Sequence, residues 1–182
     1  MYRKCATEIS ARNQKKVTAG LLELMQKVPY EEITVTQLCQ TAGVTRRVFY
    51  HLFPNKTDAL HAVIDNAILG TESYRPEISD EILRFCLYWR EQRPLLDALR
   101  RNNLSNLLLE RMVGNIIHED YDVRYWLKDY DRDTGMDIII YNLCGIMGLT
   151  YSWYATGYRK TPEEMAQRIR QLVRFPASGE KK

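Results

Sequence analysis

The sequence predicts an all-α protein, and three observations support that fold class. Apolar residues recur every three or four positions along most of the 182-residue chain, which is the periodicity of an amphipathic helix. Several of these segments begin with a Ser, Thr or Asn that can cap a helix. The one strand-like run, residues 138–141, is flanked by helical pattern on both sides. We therefore expect about nine helices in two domains, residues 1–70 and 71–182.

The composition is that of an ordinary soluble globular protein, with 45% hydrophobic and 27% charged residues. The N-terminus has no apolar signal segment, and the longest aliphatic run, residues 138–140, is far too short to span a bilayer. We therefore expect a cytoplasmic protein without membrane association. The four cysteines form no C-x-x-C pair and have no histidine at ligand spacing, which argues against a metal site and a disulfide framework. Cys5, near the terminus, could be an exposed thiol.

The first helix is expected over residues 7–28, where apolar side chains follow the helical period until Pro29 stops it. Arg12, Lys15 and Lys16 near its start either contact a phosphate backbone or form a solvated basic face, and the sequence leaves both open. Nine Lys and Arg residues stand against four Glu in the first 56 positions, whereas the remainder holds 17 against 19 acidic residues. The basic third of the chain is therefore the part expected to bind nucleic acid.

Two short helices are predicted on either side of Gly43. Thr34 can cap the first helix, and Gln37 three residues later can reach back to it to complete a capping box. Thr45 can cap the second helix, which should span residues 46–52. Two helices joined in this way form a helix-turn-helix, whose second helix enters the DNA major groove with its N-terminal residues facing base edges.

Basic side chains are found where this motif needs them. Arg46 and Arg47 begin the second helix, and their guanidinium groups can donate to O6 and N7 of guanine. Asn55 can cap a further helix over residues 56–70, which would link the motif to the rest of the chain. Lys56 lies in the first turn of that helix, where a cation gains nothing from the helix dipole. A phosphate partner would explain its presence.

The run VTRRVFYHLFPNKTDAL, residues 44–60, resembles the signature of the TetR/AcrR family of bacterial transcriptional regulators. The resemblance covers roughly residues 10–65. It implies phosphate contacts from the first helix of the motif, base reading from the start of the second, further contacts from its Tyr-His pair, and a phosphate clamp at the start of the helix over residues 56–70. The implied DNA-binding residues are Thr34, Thr36, Thr45, Arg46, Arg47, Tyr50, His51 and Lys56.

The polar, proline-containing stretch TESYRP, residues 71–76, predicts a domain boundary or short connection. The helices expected after it span residues 79–92 with Ser79 as the cap, 94–101, 105–118, 134–156 and 161–173. The acidic, aromatic segment 118–133 could hold a carboxylate cluster, but its alternating charges favour a solvated helical linker. The C-terminal tail should be frayed.

Small residues recur on one face of the predicted helix 134–156. Glycine within a helix costs about 1 kcal/mol relative to alanine, so several there suggest the close approach of another backbone. The pattern over residues 137–172 also resembles a TetR/AcrR branch that includes regulators similar to the dihydroxyacetone-kinase activator type. In the family, the last two helices of each subunit form a four-helix dimer interface. The interface residues we expect are Gly145, Gly148, Trp153, Met165, Ile169 and Leu172.

A ligand pocket is expected among the helices after residue 78. Its candidate lining consists of apolar or aromatic residues in the middle of three predicted helices: Cys86, Trp89, Met112, Ile116, Tyr141 and Met147. The alternative for each is ordinary core packing, which is the more frequent role of aromatic residues at helical spacing.

These observations favour a sequence-specific DNA-binding regulator, a ligand-responsive repressor that acts as a homodimer on a palindromic operator. One alternative is a DNA-binding coactivator whose C-terminal domain binds a protein partner instead of a small molecule. An enzyme is the alternative of another class, and its support is thin. The sequence has no Gly-rich phosphate loop, no H-E-x-x-H and no evident cysteine–histidine pair, so neither a catalytic residue nor a cofactor is expected.

Overall fold

The computed structural model describes residues 7–118 and 130–172, and those residues form nine α-helices, one 3-10 turn and no strand. The all-α prediction is confirmed. Cys5, residues 119–129 of the acidic segment and the tail from residue 173 onward lie outside the described residues. The elements are α1 Glu8–Met25, the 3-10 turn Tyr30–Glu32, α2 Val35–Ala42, α3 Arg46–Leu52, α4 Lys56–Ser73, α5 Glu81–Glu91, α6 Arg93–Arg101, α7 Ser105–His118, α8 Arg132–Ala155 and α9 Pro162–Leu172.

The chain divides into two compact units, Met1–Gly70 with Gln92–Leu108, and Thr71–Glu91 with Leu109–Lys182. The sequence assigned residues 92–108 to the second domain, whereas the structure groups them with the first unit. Side-chain hydrogen bonds explain the grouping of α6. Gln26 Nε2 donates to the Pro94 carbonyl at 2.5 Å, and the Tyr30 N–H donates to Asn102 Oδ1 at 2.5 Å. The two ends of α6 are thus attached to the segment that follows α1.

The core of the first unit forms because α1 buries one stripe at helical spacing, with Val17, Leu21 and Met25 fully enclosed. Phe49 and Phe53, from α3 and the residue after it, are also completely buried. The helix α1 ends at Met25, three residues before the predicted end. Its last turn tightens instead, because the Lys27 N–H donates to the Leu24 carbonyl at 2.8 Å.

Carboxylates rather than hydroxyls cap two helices of the second unit. The predicted cap Ser79 is replaced by Asp80, whose Oδ1 accepts the Leu83 N–H at 3.0 Å. The helix α8 begins two residues before the predicted Thr134, because Asp131 Oδ1 accepts the Thr134 N–H at 3.0 Å. Aspartate caps as well as serine or threonine does, so two neighbouring candidates cannot be ranked from sequence.

The core of the second unit is formed where α5 meets α8 and α9. Cys86, Trp153, Met165 and Ile169 are buried in one cluster there, together with Ala166. Trp153, Met165 and Ile169 were expected at a dimer interface, and the structure places them inside a single subunit instead, with almost no surface left for a second copy. In the described part of the chain, no helix is both long enough and apolar enough to cross a lipid bilayer.

Candidate nucleic-acid interface

Local hydrogen bonds fix α2 as the sequence predicted. The Thr34 N–H donates to Gln37 Oε1 at 2.8 Å, and the Gln37 N–H donates to Thr34 Oγ1 at 3.2 Å, which completes the capping box. The helix ends at Gly43, whose φ of +62° is the left-handed conformation that glycine adopts without strain. This turn sets the direction in which α3 leaves.

The helix α3 has one buried face and one exposed face. Its Thr45 cap accepts the Val48 N–H at 3.2 Å, while the Phe49 and Leu52 side chains anchor the helix in the core. Four of the predicted DNA-binding residues, Arg46, Arg47, Tyr50 and His51, are exposed on the remaining surface. The recognition helix therefore presents two guanidinium groups, a phenol and an imidazole to solvent, and these groups can donate to phosphates and base edges.

The exposed face of α3 is partly ordered by ring contacts. The Tyr50 ring packs edge-on against the buried Phe49 ring, with centroids 5.3 Å apart. The Arg46 guanidinium carbon lies 5.8 Å from the centre of the Tyr50 ring, within the range of a cation–π contact. Thr34, Thr36 and Thr45 are also exposed. Seven of the eight predicted DNA-binding residues are thus accessible.

Lys56 differs from the other seven. Its Nζ donates to three backbone carbonyls of the segment after α1: Tyr30 at 2.6 Å, Ile33 at 2.9 Å and Glu31 at 3.3 Å. An ammonium group has three protons, so this geometry leaves none for a phosphate. We assign Lys56 the role of attaching the 3-10 turn to α4, in place of the phosphate clamp implied by the family resemblance.

Tyr30 is a structural residue of the first unit that the sequence did not single out. Its buried ring lies under Lys56, its hydroxyl donates to Thr57 Oγ1 at 3.4 Å, and burial raises the pKa of its phenol. The sequence signal that could have revealed it is Pro29, because proline commonly precedes a tight turn.

The residues predicted to line a ligand pocket differ widely in their exposure to solvent. Cys86, Trp89, Met112 and Met147 are buried, Ile116 is half-buried, and Tyr141 is 80% exposed. Within the described part of the chain, Tyr141 therefore lies on the outward face of α8 and not among the buried candidates. Burial raises the pKa of the Cys86 thiol to about 12, which keeps it protonated and unreactive at neutral pH.

Trp89 has an unusual feature among the described residues. Its side chain is fully enclosed, yet its indole Nε1–H has no hydrogen-bond acceptor. A buried donor without a partner costs about 1–3 kcal/mol, so such groups are few in folded proteins.

The predicted dimer residues divide into buried and exposed groups. Gly145 and Gly148 are exposed on α8, and a Cβ added at either one would meet nothing within 4 Å. Leu172 is 56% exposed at the end of α9. Unlike Trp153, Met165 and Ile169, these three residues have surface available to a partner. No group of three His, Cys, Asp or Glu side chains suited to a metal ion occurs within residues 7–118 and 130–172.

Residues 17–63 match the family described as bacterial regulatory proteins, tetR family, and residues 77–175 match the family described as transcriptional regulator C-terminal region. A 53-residue stretch is 34% identical to the HTH-type dhaKLM operon transcriptional activator DhaS of Lactococcus lactis subsp. lactis (strain IL1403). That stretch covers 29% of this chain and only 28% of the relative.

Solved structures that resemble most of the chain include two transcriptional regulators. A TetR transcriptional regulator from Streptococcus agalactiae 2603V aligns with a TM-score of 0.62 at 14% identity, covering 92% of this chain and 96% of the other. The dihydroxyacetone kinase operon activator DhaS aligns with a TM-score of 0.57 at 22% identity, covering 88% and 93%. At these identities the likeness shows the fold alone.

Proposed function

Because the chain belongs to the TetR family of bacterial transcriptional regulators, we propose that it acts as a homodimeric, ligand-responsive repressor on a near-palindromic DNA operator. The family resemblance predicted from the sequence is confirmed, as is its likeness to the dihydroxyacetone-kinase activator type. The chain is thus a DNA-binding transcriptional regulator. We propose its direction of regulation, its effector, its operator and its assembly in the paragraphs below.

The observation that carries the DNA-binding part is the exposed face of α3. Arg46 and Arg47 read base edges in this proposal, while Tyr50 and His51 contact the backbone or neighbouring bases. The exposed Thr34, which caps α2, and Thr36 within α2 supply further contacts, together with Thr45. A protein of this kind acts where the chromosome is, which places it in the cytoplasm.

The homodimer in this proposal forms through the outward face of α8 and the exposed Leu172 at the end of α9. Tyr141, Gly145 and Gly148 are exposed at intervals of three and four residues, so they share that face. Two such faces can pack closely because glycine lets helix backbones approach. A two-fold axis between the subunits then presents the two copies of α3 to half-sites about one helical turn, or a multiple of it, apart.

The effector in this proposal binds in the second unit and accepts a hydrogen bond from Trp89. A carbonyl, carboxylate or hydroxyl oxygen of the ligand would satisfy the indole N–H that lacks an acceptor in the described structure. The helix α4 spans Lys56–Ser73, and in this proposal it transmits the shift from the effector site to the recognition helix. A coupling of about 1–3 kcal/mol would change operator occupancy several-fold or more.

Selection from a pool of random DNA duplexes, followed by footprinting of the selected sequence, tests the proposal. We expect an inverted repeat protected on two half-sites, with two subunits bound per site by sedimentation. A selected sequence without two-fold symmetry would contradict the homodimeric reading. Failure to bind any duplex would contradict the assignment of the DNA interface.

An effector found by thermal-shift screening is then titrated by calorimetry with and without the operator. Linkage requires that an inducer bind the operator complex more weakly than it binds the free protein. Equal affinities would show that the compound is not the inducer. The Trp89→Phe variant keeps an aromatic ring, although a smaller one, and lacks the donor, so it should bind the effector more weakly. Trp89 is fully buried, so thermal unfolding of the variant separates the loss of the donor from a loss of stability.

A second candidate function is transcriptional activation, and it is favoured by the relative DhaS, which is an operon activator. In that case the second unit binds a protein partner that acts as the coactivating signal. A promoter–reporter assay with and without the protein separates the candidates, because a repressor lowers expression and an activator raises it. Co-purification of a second protein would favour the partner over the small molecule.

A further inference from the structure

A groove of about 470 Å³ lies between the start of α1 and the recognition helix α3. Its lining from α1 consists of Ile9, Ser10 and Asn13, and its lining from α3 consists of Arg47, Val48, His51 and Leu52. Two of these residues, Arg47 and His51, belong to the proposed DNA-binding face. The groove is therefore continuous with that face.

The groove combines an apolar part with a polar part. Ile9, Val48 and Leu52 provide apolar contact surface, while Asn13 and Arg47 provide hydrogen-bond donors. A nucleotide backbone has the complementary chemistry, since deoxyribose offers carbon–hydrogen surface and the phosphate offers anionic acceptors. The lining contains no carboxylate that would repel a phosphate.

The two lysines of α1 differ in their relation to this groove. Successive residues of a helix are rotated by about 100°, so Lys16 lies roughly 60° around the axis from Asn13, whereas Lys15 lies roughly 160° away. Both lysine side chains are exposed, and the one acidic residue of the first turn, Glu8, lies on the Lys15 side by the same geometry. Lys16 thus extends the groove along its own side of α1, and Lys15 does not.

We propose that this groove binds the sugar-phosphate backbone of DNA beside the recognition helix, with Asn13 donating to a phosphate and Lys16 neutralising it or its neighbour. This assignment rests on the proposed function. It adds α1 to the interface and distinguishes a phosphate-binding lysine from a solvated one. A contact of this kind strengthens binding to every sequence, because phosphates carry no sequence information.

The test compares Lys16→Ala with Lys15→Ala in fluorescence anisotropy titrations, using the duplex selected by the wild type and an unrelated duplex over a series of salt concentrations. Lys16→Ala should weaken binding to both duplexes roughly threefold to tenfold and reduce the salt slope by about 0.9. Lys15→Ala, the same chemical change at the adjacent position, should leave both quantities near their wild-type values.

Asn13→Ala tests the groove itself. It should weaken binding to both duplexes without changing the salt slope, since no charge is removed. Asn66→Ala is the matched control, because Asn66 is exposed on α4 and does not line the groove. Thermal unfolding of each variant shows whether a loss of affinity reflects a loss of folding.

Equal effects of the two lysine variants would overturn the proposal, and so would an Asn13→Ala variant that binds like the wild type. These outcomes differ from failure of the proposed function, in which the wild type itself selects and binds no duplex. A folded Lys16→Ala variant with reduced affinity and salt slope, together with a weakened and folded Asn13→Ala variant, supports the groove as a backbone site.

Discussion

The ammonium nitrogen of Lys56 lies 2.6 Å from the Tyr30 carbonyl oxygen and 4.3 Å from the centre of the Tyr30 ring. The Lys56 side chain at the start of α4 therefore makes two contacts with Tyr30 of the 3-10 turn. Its ammonium group donates a hydrogen bond to the Tyr30 carbonyl and makes a cation–π contact with the Tyr30 ring. The Tyr30 N–H is in turn bonded to Asn102 at the end of α6. Lys56 and Tyr30 join α4 to the segment that α6 also contacts.

Lys56→Ala should lower the free energy of unfolding by about 1–3 kcal/mol, because the carbonyls of Tyr30 and Ile33 lose a charged donor. Urea denaturation measures this change. Operator affinity should fall because the first unit is less stably folded, with little change in the salt slope. A variant with unchanged stability and a salt slope reduced by about one unit would restore the phosphate role for Lys56.

Arg47→Ala should flatten discrimination between operator bases, because an exposed guanidinium at the start of the recognition helix can bind guanine in a bidentate manner. We expect a loss of about 1–3 kcal/mol for the matched operator and a much smaller loss for a sequence mismatched at the base read. Competition titrations with both duplexes measure the difference. Equal losses on the two duplexes would show that Arg47 contacts only the backbone.

Gly148→Leu should convert the dimer to monomer, because a bulky side chain on the outward face of α8 would separate two facing backbones. Within one subunit a Cβ at this position meets nothing within 4 Å, so the fold itself should tolerate the change. Gly114→Leu on α7 is the matched control, since a Cβ added at that glycine also meets nothing within 4 Å. Sedimentation should show a monomer for the first variant alone; a dimer in both would place the interface elsewhere.

Ile169→Ala and Leu172→Ala should affect different properties, although both residues belong to α9. The first should lower stability and the second should weaken dimerisation. Ile169 is buried in the second-unit core, so its truncation should cost about 2–5 kcal/mol of stability. Leu172 is mostly exposed, so its truncation should change stability by less than about 0.5 kcal/mol and should weaken dimerisation instead. Loss of the dimer without loss of stability in Ile169→Ala would return that residue to the interface.

Asp80 should make the second unit sensitive to acid. Its carboxylate is hydrogen-bonded to Arg170 and caps α5, and these contacts, the first the larger, hold its pKa below the ordinary value of 3.8. A depressed folded-state pKa adds stability that is complete above the unfolded pKa and is lost as pH falls through the folded one. The difference in unfolding free energy between wild type and Asp80→Asn should therefore be largest at neutral pH and shrink below about pH 3.8.

Urea denaturation over a pH series measures that difference, and the Arg170→Gln variant identifies its cause. If Arg170 is the main source of the shift, Asp80→Asn should cost less stability in the Arg170→Gln background than in the wild type. A difference between wild type and Asp80→Asn that does not change with pH would contradict a charge-dependent role for Asp80.

The sequence alone determined the helix-turn-helix, because its signals act over a few residues. Thr34 and Gln37 satisfy each other across one helical turn, Thr45 caps the next helix, and Gly43 supplies the left-handed residue between them. Hydrogen bonds of this range depend on residue type and spacing, which the sequence states directly. The motif was accordingly found at its observed bounds.

Only the tertiary structure decided what covers each helix face. Periodicity showed that Ile169 and Leu172 belong to one apolar set on α9, but not that α5 and α8 bury the first residue and leave the second exposed. It likewise placed Lys56 at the start of α4 without revealing its acceptors, which lie 23–26 residues earlier in the chain. Helical spacing specifies which residues point the same way. The neighbours they meet are fixed by packing between segments distant in sequence, and no local pattern encodes them.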